Sequence, residues 1–379
     1  MDFVNLELVK NVSVRVMAAL KFISCIVVFM FIFSIGINTF ASQNSTVHIK
    51  SEAAVLIDSE TGAVLFSQNP NERLYPASLT KIATAIYALE KGNLNDTVTV
   101  SHNAVKAEGT RVYLVEGEKI PFKTLIQGML INSGNDAAIA VAEHLDGKLE
   151  KFAQHLNEYL IQNIGVKNTH FVNPNGLFNA NHYSTAMDLA TITSYAMKNA
   201  KFAEIFGMKQ LKWNGQAWKT TLRSHHLMLT GEVPYKGITG GKTGYLDESK
   251  HTLATTADNG RMKLTLIELS ANHKKDIYKD TVKLLDYGFN KFKHEKLIEN
   301  EHFKFGKHAF FLGSDTVVTI PAKGAAYQVN DFGSLAIQDR KGNILQIVDL
   351  KASEKSPKKK AVTKGLKKRR FFIWTQFMD

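Results

Sequence analysis

Thr252-Leu253-Ala254-Thr255-Thr256-Ala257-Asp258-Asn259-Gly260-Arg261-Met262-Lys263-Leu264-Thr265-Leu266-Ile267-Glu268-Leu269 decides the fold. Residues 252 to 257 and 262 to 269 are extended runs, and Asp258-Asn259-Gly260 between them is the turn chemistry of a β-hairpin. Just upstream, a further extended run carries Gly240-Gly241-Lys242-Thr243-Gly244-Tyr245. Near the N-terminus, Ala54-Val55-Leu56-Ile57 and Ala63-Val64-Leu65-Phe66 flank Asp58-Ser59-Glu60-Thr61-Gly62, a second hairpin. The chain between these strand groups is helical in pattern. Ile82, Ile86 and Leu89 stop at Gly92; residues 124 to 145 are helical on both sides of Ser133-Gly134-Asn135-Asp136; further helices fit Phe152, Leu156, Tyr159, Leu160 and Ile164, and residues 185 to 197. Strands at both ends with helices between predict an α+β body, its terminal segments paired in one mainly antiparallel sheet flanked by helices.

Beyond this body, residues 276 to 293 read as a last helix. Val317-Val318-Thr319-Ile320, Leu335-Ala336-Ile337 and residues 344 to 348 then read as short strands of a small all-β domain. At the other end, basic residues finish at Lys21, an apolar run follows to Ile37, and Thr39-Phe40-Ala41 completes an export signal with a cut after Ala41. An uncleaved anchor is the alternative; either places the body outside the cytoplasm. The predicted organisation is therefore a signal at 1–41, an α+β domain at 42–293, a small β domain at 294–350 and a tail at 351–379.

The formal charge of +12 suggests nucleic acid until it is located. Residues 351 to 379 hold ten Lys or Arg against Glu354 and Asp379, which leaves only about three net positive charges for residues 42 to 350. A nucleic-acid-binding body spreads basic residues over a folded face, so no nucleic-acid partner is expected. Within the tail, Lys367-Lys368-Arg369-Arg370 leads into Phe371-Phe372-Ile373-Trp374, a mixture suited to an anionic lipid surface and too short to span it. Cys25, the only cysteine, lies in the export signal; cleavage leaves no thiol for a disulfide, a metal or a nucleophile.

Ser78-Leu79-Thr80-Lys81 follows Pro76 at a helix start, which sets Ser78 in the first turn with Lys81 on the same face. Taken alone this is a capping serine beside a solvated lysine, and Ser356-Pro357-Lys358-Lys359 in the tail fits the same pattern. Two later motifs change its meaning. Ser133-Gly134-Asn135 breaks a helix, so its side chains can project into a cleft. Lys242-Thr243-Gly244 lies on a strand behind Gly240-Gly241, glycines expected to admit an extended peptide at a sheet edge. A lysine acts as a base near neutral pH only when desolvation or a neighbouring cation keeps it neutral, and Lys242 is the expected cation beside Lys81. The set is a serine acyl-transfer site drawn from distant segments. His225 and His226 read as cleft-wall or surface residues, since nothing at ligand spacing makes them metal ligands.

These motifs resemble the penicillin-binding protein and serine β-lactamase superfamily, and most closely its low-molecular-mass D-alanyl-D-alanine carboxypeptidases. The resemblance runs from about Ala53 to Phe292. It also takes in Leu130-Ile131-Asn132 before Ser133, Asn173-Pro174-Asn175-Gly176-Leu177 and His182-Tyr183-Ser184-Thr185-Ala186. It implies a β-lactamase/transpeptidase-like fold and a peptidoglycan stem peptide ending in D-alanyl-D-alanine as substrate. It implies β-lactams as ligands and no cofactor or metal. Ser78 is then the nucleophile, Lys81 its base and Ser133 the proton relay. Asn135 orients Lys81 and the substrate amide. Lys242 and Thr243 hold the terminal carboxylate, and Gly244 and Tyr245 continue the binding strand, with the Tyr245 and Ser78 N–H groups as oxyanion hole. Tyr245 stands where several relatives have histidine. Ser-Gly-Asn as second motif, with no Glu-x-x-Leu-Asn, favours a carboxypeptidase over a β-lactamase. A catalytically silent binder of wall peptides is the alternative from another class; the basic tail and the export signal place the expected enzyme on the outer face of the cytoplasmic membrane.

Overall fold

The computed structural model describes residues 47 to 353. The expected signal at 1–41 and the tail, apart from residues 351 to 353, lie outside the described residues. Five antiparallel strands form the main sheet in the order β2-β1-β5-β4-β3: β1 is Ala53–Asp58, β2 Val64–Gln68, β3 Ile238–Leu246, β4 Lys250–Asp258 and β5 Lys263–Ala271. The two hairpins thus meet, β1 beside β5 with Val55 opposite Ile267, which puts the first and last strands of the α+β body side by side. Every residue of β1 is buried. Continuous burial, rather than alternation, follows from helices packing on the sheet: α4, Ala186–Ala196, lies against β1 and β5, and α5, Lys274–Lys291, against β5 and β4. Ala54, Leu56, Leu264 and Leu266 share one apolar cluster with Leu284 and Leu285 of α5.

The helical layer is centred on α1, Thr80–Lys91, which is buried from Thr80 to Ala88. Small residues on several sides, Ala83, Ala85 and Ala88, let neighbouring helices close around it, so the helix is buried on most sides rather than along one stripe, Thr80, Lys81 and Thr84 included. Helices α2, Phe122–Ile131, and α3, Asn135–Asp146, stand on either side of the interruption at Ser133.

The C-terminal β strands begin at Phe292, one residue earlier than the expected helix ends. Phe292–Leu297 pairs with Thr316–Pro321, and Ala326–Val329, Ser334–Gln338 and Ile344–Asp349 form a separate three-stranded sheet. Phe292 packs edge-on to Tyr287, 5.4 Å away, and joins the α5 cluster. An apolar residue serves that cluster from a helix or a strand, so periodicity alone ran the helix two residues long. Asp58, fully buried at the end of β1, accepts hydrogen bonds from His294 Nε2 at 2.6 Å and Thr319 Oγ1 at 2.8 Å, tying these strands to the main sheet.

Candidate active site

Ser78 stands in a single 3₁₀ turn, Ala77–Leu79, ahead of α1, not in the first α-helical turn that the Pro76 signal suggested. Ala77 has φ +48°, a left-handed conformation that costs a non-glycine residue energy. The surroundings hold it there. Thr80 Oγ1 donates to Ala77 O at 2.8 Å, Thr252 Oγ1 of β4 donates to Pro76 O at 3.1 Å, and a Cβ on Gly176 would stand 1.9 Å from Ala77 O. Gly176 belongs to the Asn173-Pro174-Asn175-Gly176-Leu177 stretch, which thus presses against the turn that carries Ser78. His182 locks the same contact from behind. Its Nδ1 accepts from Val172 N–H at 3.1 Å, which leaves Nε2 to donate to Thr80 Oγ1 at 2.8 Å. Burial pushes the His182 imidazole down to about 3, so it stays neutral.

Lys81 points under Ser78. Its Nζ lies 2.9 Å from Ser78 Oγ, 2.7 Å from Asn135 Oδ1 and 2.6 Å from Asn175 O. Asn135 Nδ2 donates to Glu108 O at 2.6 Å, which fixes the amide with its oxygen toward the lysine. The count of partners is informative. A neutral amine has two N–H groups and one lone pair; two carbonyl oxygens take the hydrogens, and the lone pair then faces the Ser78 hydroxyl. Burial, first, and then the charge of Lys242 hold the Lys81 amine well below its usual range, against a smaller opposing pull from Asp136. That arrangement can take a proton from Ser78.

Ser133 links α2 to α3 at φ +62°, the bend that interrupts the helical pattern. Its Oγ lies 3.0 Å from Lys242 Nζ, which also donates to Thr243 O at 2.8 Å. Burial alone brings the Lys242 amine down to about 7. Asp136, next in line, uses its buried carboxylate to accept from the N–H groups of Val112 and Leu114. It thereby holds the strap over residues 108 to 114, whose Glu108 carbonyl orients Asn135. Ser78, Ser133, Thr110, Thr243, Gly244 and Tyr245 open on one cleft of about 350 Å³.

The glycines before Lys242 have a different cause from the one expected. A Cβ on Gly240 would stand 2.3 Å from the Phe206 ring, and one on Gly241 2.2 Å from the His226 ring. Both glycines make room for side chains of this chain on opposite faces of β3. Gly244 likewise lets β3 approach the Ser78 turn, since its Cβ would meet Ser78 N at 2.9 Å. Tyr245 is 55% exposed and donates to Asp247 Oδ1. His225 does line the cleft, but His226 is neither on the surface nor in the cleft wall. It is fully buried behind β3, with Nδ1 accepting from Leu229 N–H and Nε2 2.9 Å from Thr255 Oγ1.

A family model described as D-alanyl-D-alanine carboxypeptidase matches residues 38–273. Over 307 residues the chain is 31% identical to D-alanyl-D-alanine carboxypeptidase DacF of Bacillus subtilis, covering 76% of this chain and 78% of that protein. It is 30% identical over 302 residues to D-alanyl-D-alanine carboxypeptidase DacA of Escherichia coli, covering 72% and 71%. Among solved structures, penicillin binding protein 5 of Haemophilus influenzae superposes with a TM-score of 0.69 at 27% identity, spanning 81% of this chain and 98% of that one.

Proposed function

The chain belongs to the D-alanyl-D-alanine carboxypeptidase family and is a serine-type carboxypeptidase, and from that premise we propose that Ser78 is its nucleophile and Lys81 the base that activates it. The substrate is a peptidoglycan stem peptide ending in D-alanyl-D-alanine. Its terminal carboxylate lies against Lys242 and Thr243, and its scissile carbonyl over Ser78. Lys81 takes the Ser78 proton as Oγ bonds to the carbonyl carbon, and the backbone N–H groups of Ser78 and Tyr245 stabilise the oxyanion. The carbon–nitrogen bond breaks, the departing amine of D-alanine gains its proton through Ser133, and water then releases the acyl group from Ser78. Asn135 orients both Lys81 and the substrate amide, and Gly244 allows β3 to lie beside Ser78.

The observation that carries this reading is the Lys81 amine, buried among two carbonyl oxygens and the Ser78 hydroxyl, all within 2.9 Å. The same chemistry has β-lactams acylate Ser78, with slow release of the drug. Fluorescent penicillin is expected to label the protein covalently and to leave Ser78→Ala unlabelled, while the unmodified protein frees one D-alanine from a stem pentapeptide. Labelling of the Ala variant at another residue, or rapid turnover of the drug, refutes the assignment.

We also infer that the basic, aromatic tail holds the enzyme on the outer face of the cytoplasmic membrane, by lysine and arginine charge and a short apolar end. Among the described residues no helix is long and apolar enough to cross a membrane. A chain ending at Leu350 that still sediments with membranes after loss of residues 1 to 41 overturns this part of the reading.

A further inference from the structure

The wall of the cleft at Ser78 has two faces. Lys274 and Tyr278, which line it, also line a second groove of about 660 Å³ along the outer side of α5. The floor of this groove is apolar, made by Leu227, Val233, Val282 and the Tyr278 ring. Its rim is Lys274, Lys275, Lys279 and Lys283.

Lys275, Lys279 and Lys283 recur every four residues, which stacks like charges on one helix face, an unfavourable arrangement by itself. The acids nearby are engaged elsewhere, save that Asp276 also feels the charge of Lys279. Asp276 pairs with Lys50 at 3.1 Å, Asp280 accepts from the N–H groups of Lys50 and Ser51, Asp286 accepts from Tyr235, and Glu232 from Thr230. Of the rim, Lys283 alone has an ion pair among the described residues, 3.6 Å from Asp280. The rim therefore calls for an anion, and the floor for an aliphatic chain bearing it.

The groove also has a definite side. His225 lines the cleft and feels the charge of both Lys242 and Lys274, so cationic groups lead from Lys242 outward to the groove. Resting on the assignment of Lys242 and Thr243 to the carboxylate of the departing residue, we propose that this groove is a leaving-group subsite for a D-amino acid whose aliphatic side chain ends in a carboxylate. The chain lies on Leu227, Val233 and Val282, and its carboxylate meets the lysines. The covalent step is unchanged: the acyl carbon passes to Ser78 Oγ, the carbon–nitrogen bond breaks, and the protonated amine departs with its acidic side chain. The structure thus favours peptides with an acidic D-residue at the end over those with an uncharged residue of equal length.

Three peptides test this, sharing one acyl half and ending in D-alanine, D-norleucine or D-2-aminopimelate. The unmodified protein is expected to process the aminopimelate peptide with kcat/KM on the order of tenfold above the norleucine peptide, an advantage that shrinks as salt screens the rim. Lys275→Glu with Lys279→Glu, both outside the catalytic cleft, should abolish that preference through KM and leave D-alanine release as it was; Lys274 is kept because it also lines the cleft. Equal rates for the acidic and uncharged peptides overturn the subsite, as does a double variant that slows all three alike. A protein that releases none of the three, D-alanine included, and takes no penicillin overturns the Ser78 assignment beneath it.

Discussion

Replacing Lys242 by methionine is expected to make the protein more stable at neutral pH while stopping D-alanine release. Lys242 is only 3% exposed, and burial lowers its amine from 10.5 to about 7. In the unfolded chain the amine keeps its proton up to about pH 10.5; in the folded chain it has lost half of it at pH 7. Between these values the unfolded state binds more protons, so the contribution of this residue to stability rises with pH across that window. Put as a penalty, the buried amine destabilises the fold by roughly 4 kcal/mol at pH 7 and by nothing once pH passes 10.5. Methionine matches the length of the side chain, removes the ionisable group and gives up the bond to Ser133, worth about 1 kcal/mol. Urea unfolding of both proteins at pH 7 and pH 10.5 reads this residue together with the groups that feel its charge, Lys81 above all, while titrating groups that do not feel Lys242 cancel in the difference. The variant should lead by roughly 3 kcal/mol at pH 7 and hold no lead at pH 10.5. A variant less stable than its parent at pH 7, or a difference that ignores pH, shows that burial of Lys242 is not what depresses its amine.

The same ionisations set a bell-shaped profile of kcat/KM for D-alanine release. It falls on the acid side as Lys81 regains a proton and can no longer serve as base, and on the alkaline side above about 7 as Lys242 loses the charge that holds the carboxylate. A profile still rising through pH 8 contradicts the role given to Lys242. Gly244→Ala places a methyl 2.4 Å from Thr252 Oγ1 and 2.9 Å from Ser78 N, so it pushes on the nucleophile turn itself. Penicillin acylation should slow on the order of 100-fold, with unfolding shifted by only about 1–3 kcal/mol; undiminished labelling means that the approach of β3 to Ser78 is unimportant.

Much of the architecture was readable from residue types because its signals are local. Asp258-Asn259-Gly260 marks its own hairpin, Gly62 its own turn, and Thr185 caps α4 by accepting from Asp188 N–H, so those boundaries agree with the structure. Ser78, Lys81, Ser133, Asn135 and Lys242 were readable as chemistry, and the fold brings them together. What escaped the sequence is contact between backbone and side chains far apart in the chain. Asn175 acts on Lys81 through its carbonyl, which every residue possesses, and Asp136 works through the N–H groups of Val112 and Leu114. No residue type announces such partners. The available trace was Asn173-Pro174-Asn175-Gly176 as a tight turn next to nothing apparent. Gly240 and Gly241 misled for the related reason that a glycine records close approach without saying by what. Phe206 and His226 pack on the two faces of β3, and their rings account for both glycines without a peptide at the strand edge.

The site gathers features that work against folding. Ala77 and Ser133 both hold left-handed backbone, each at a cost of order 1–3 kcal/mol, and two lysines are buried with no carboxylate in hydrogen-bond contact with either amine among the described residues. Stability alone would select glycine at 77 and 133 and an apolar residue at 242. The surrounding structure instead over-determines each position: Gly176, Thr80 and Thr252 clamp the Ala77 turn, and α1, buried from Thr80 to Ala88, gives Lys81 no freedom to swing toward water. A charged Lys81 could satisfy its three partners equally well, so geometry by itself does not choose its protonation state. The choice falls first to burial and then to Lys242, a second cation held in place because β3 is fixed between Phe206 and His226. The glycines ahead of Lys242 therefore help hold in place the charge that, after burial, depresses the Lys81 amine.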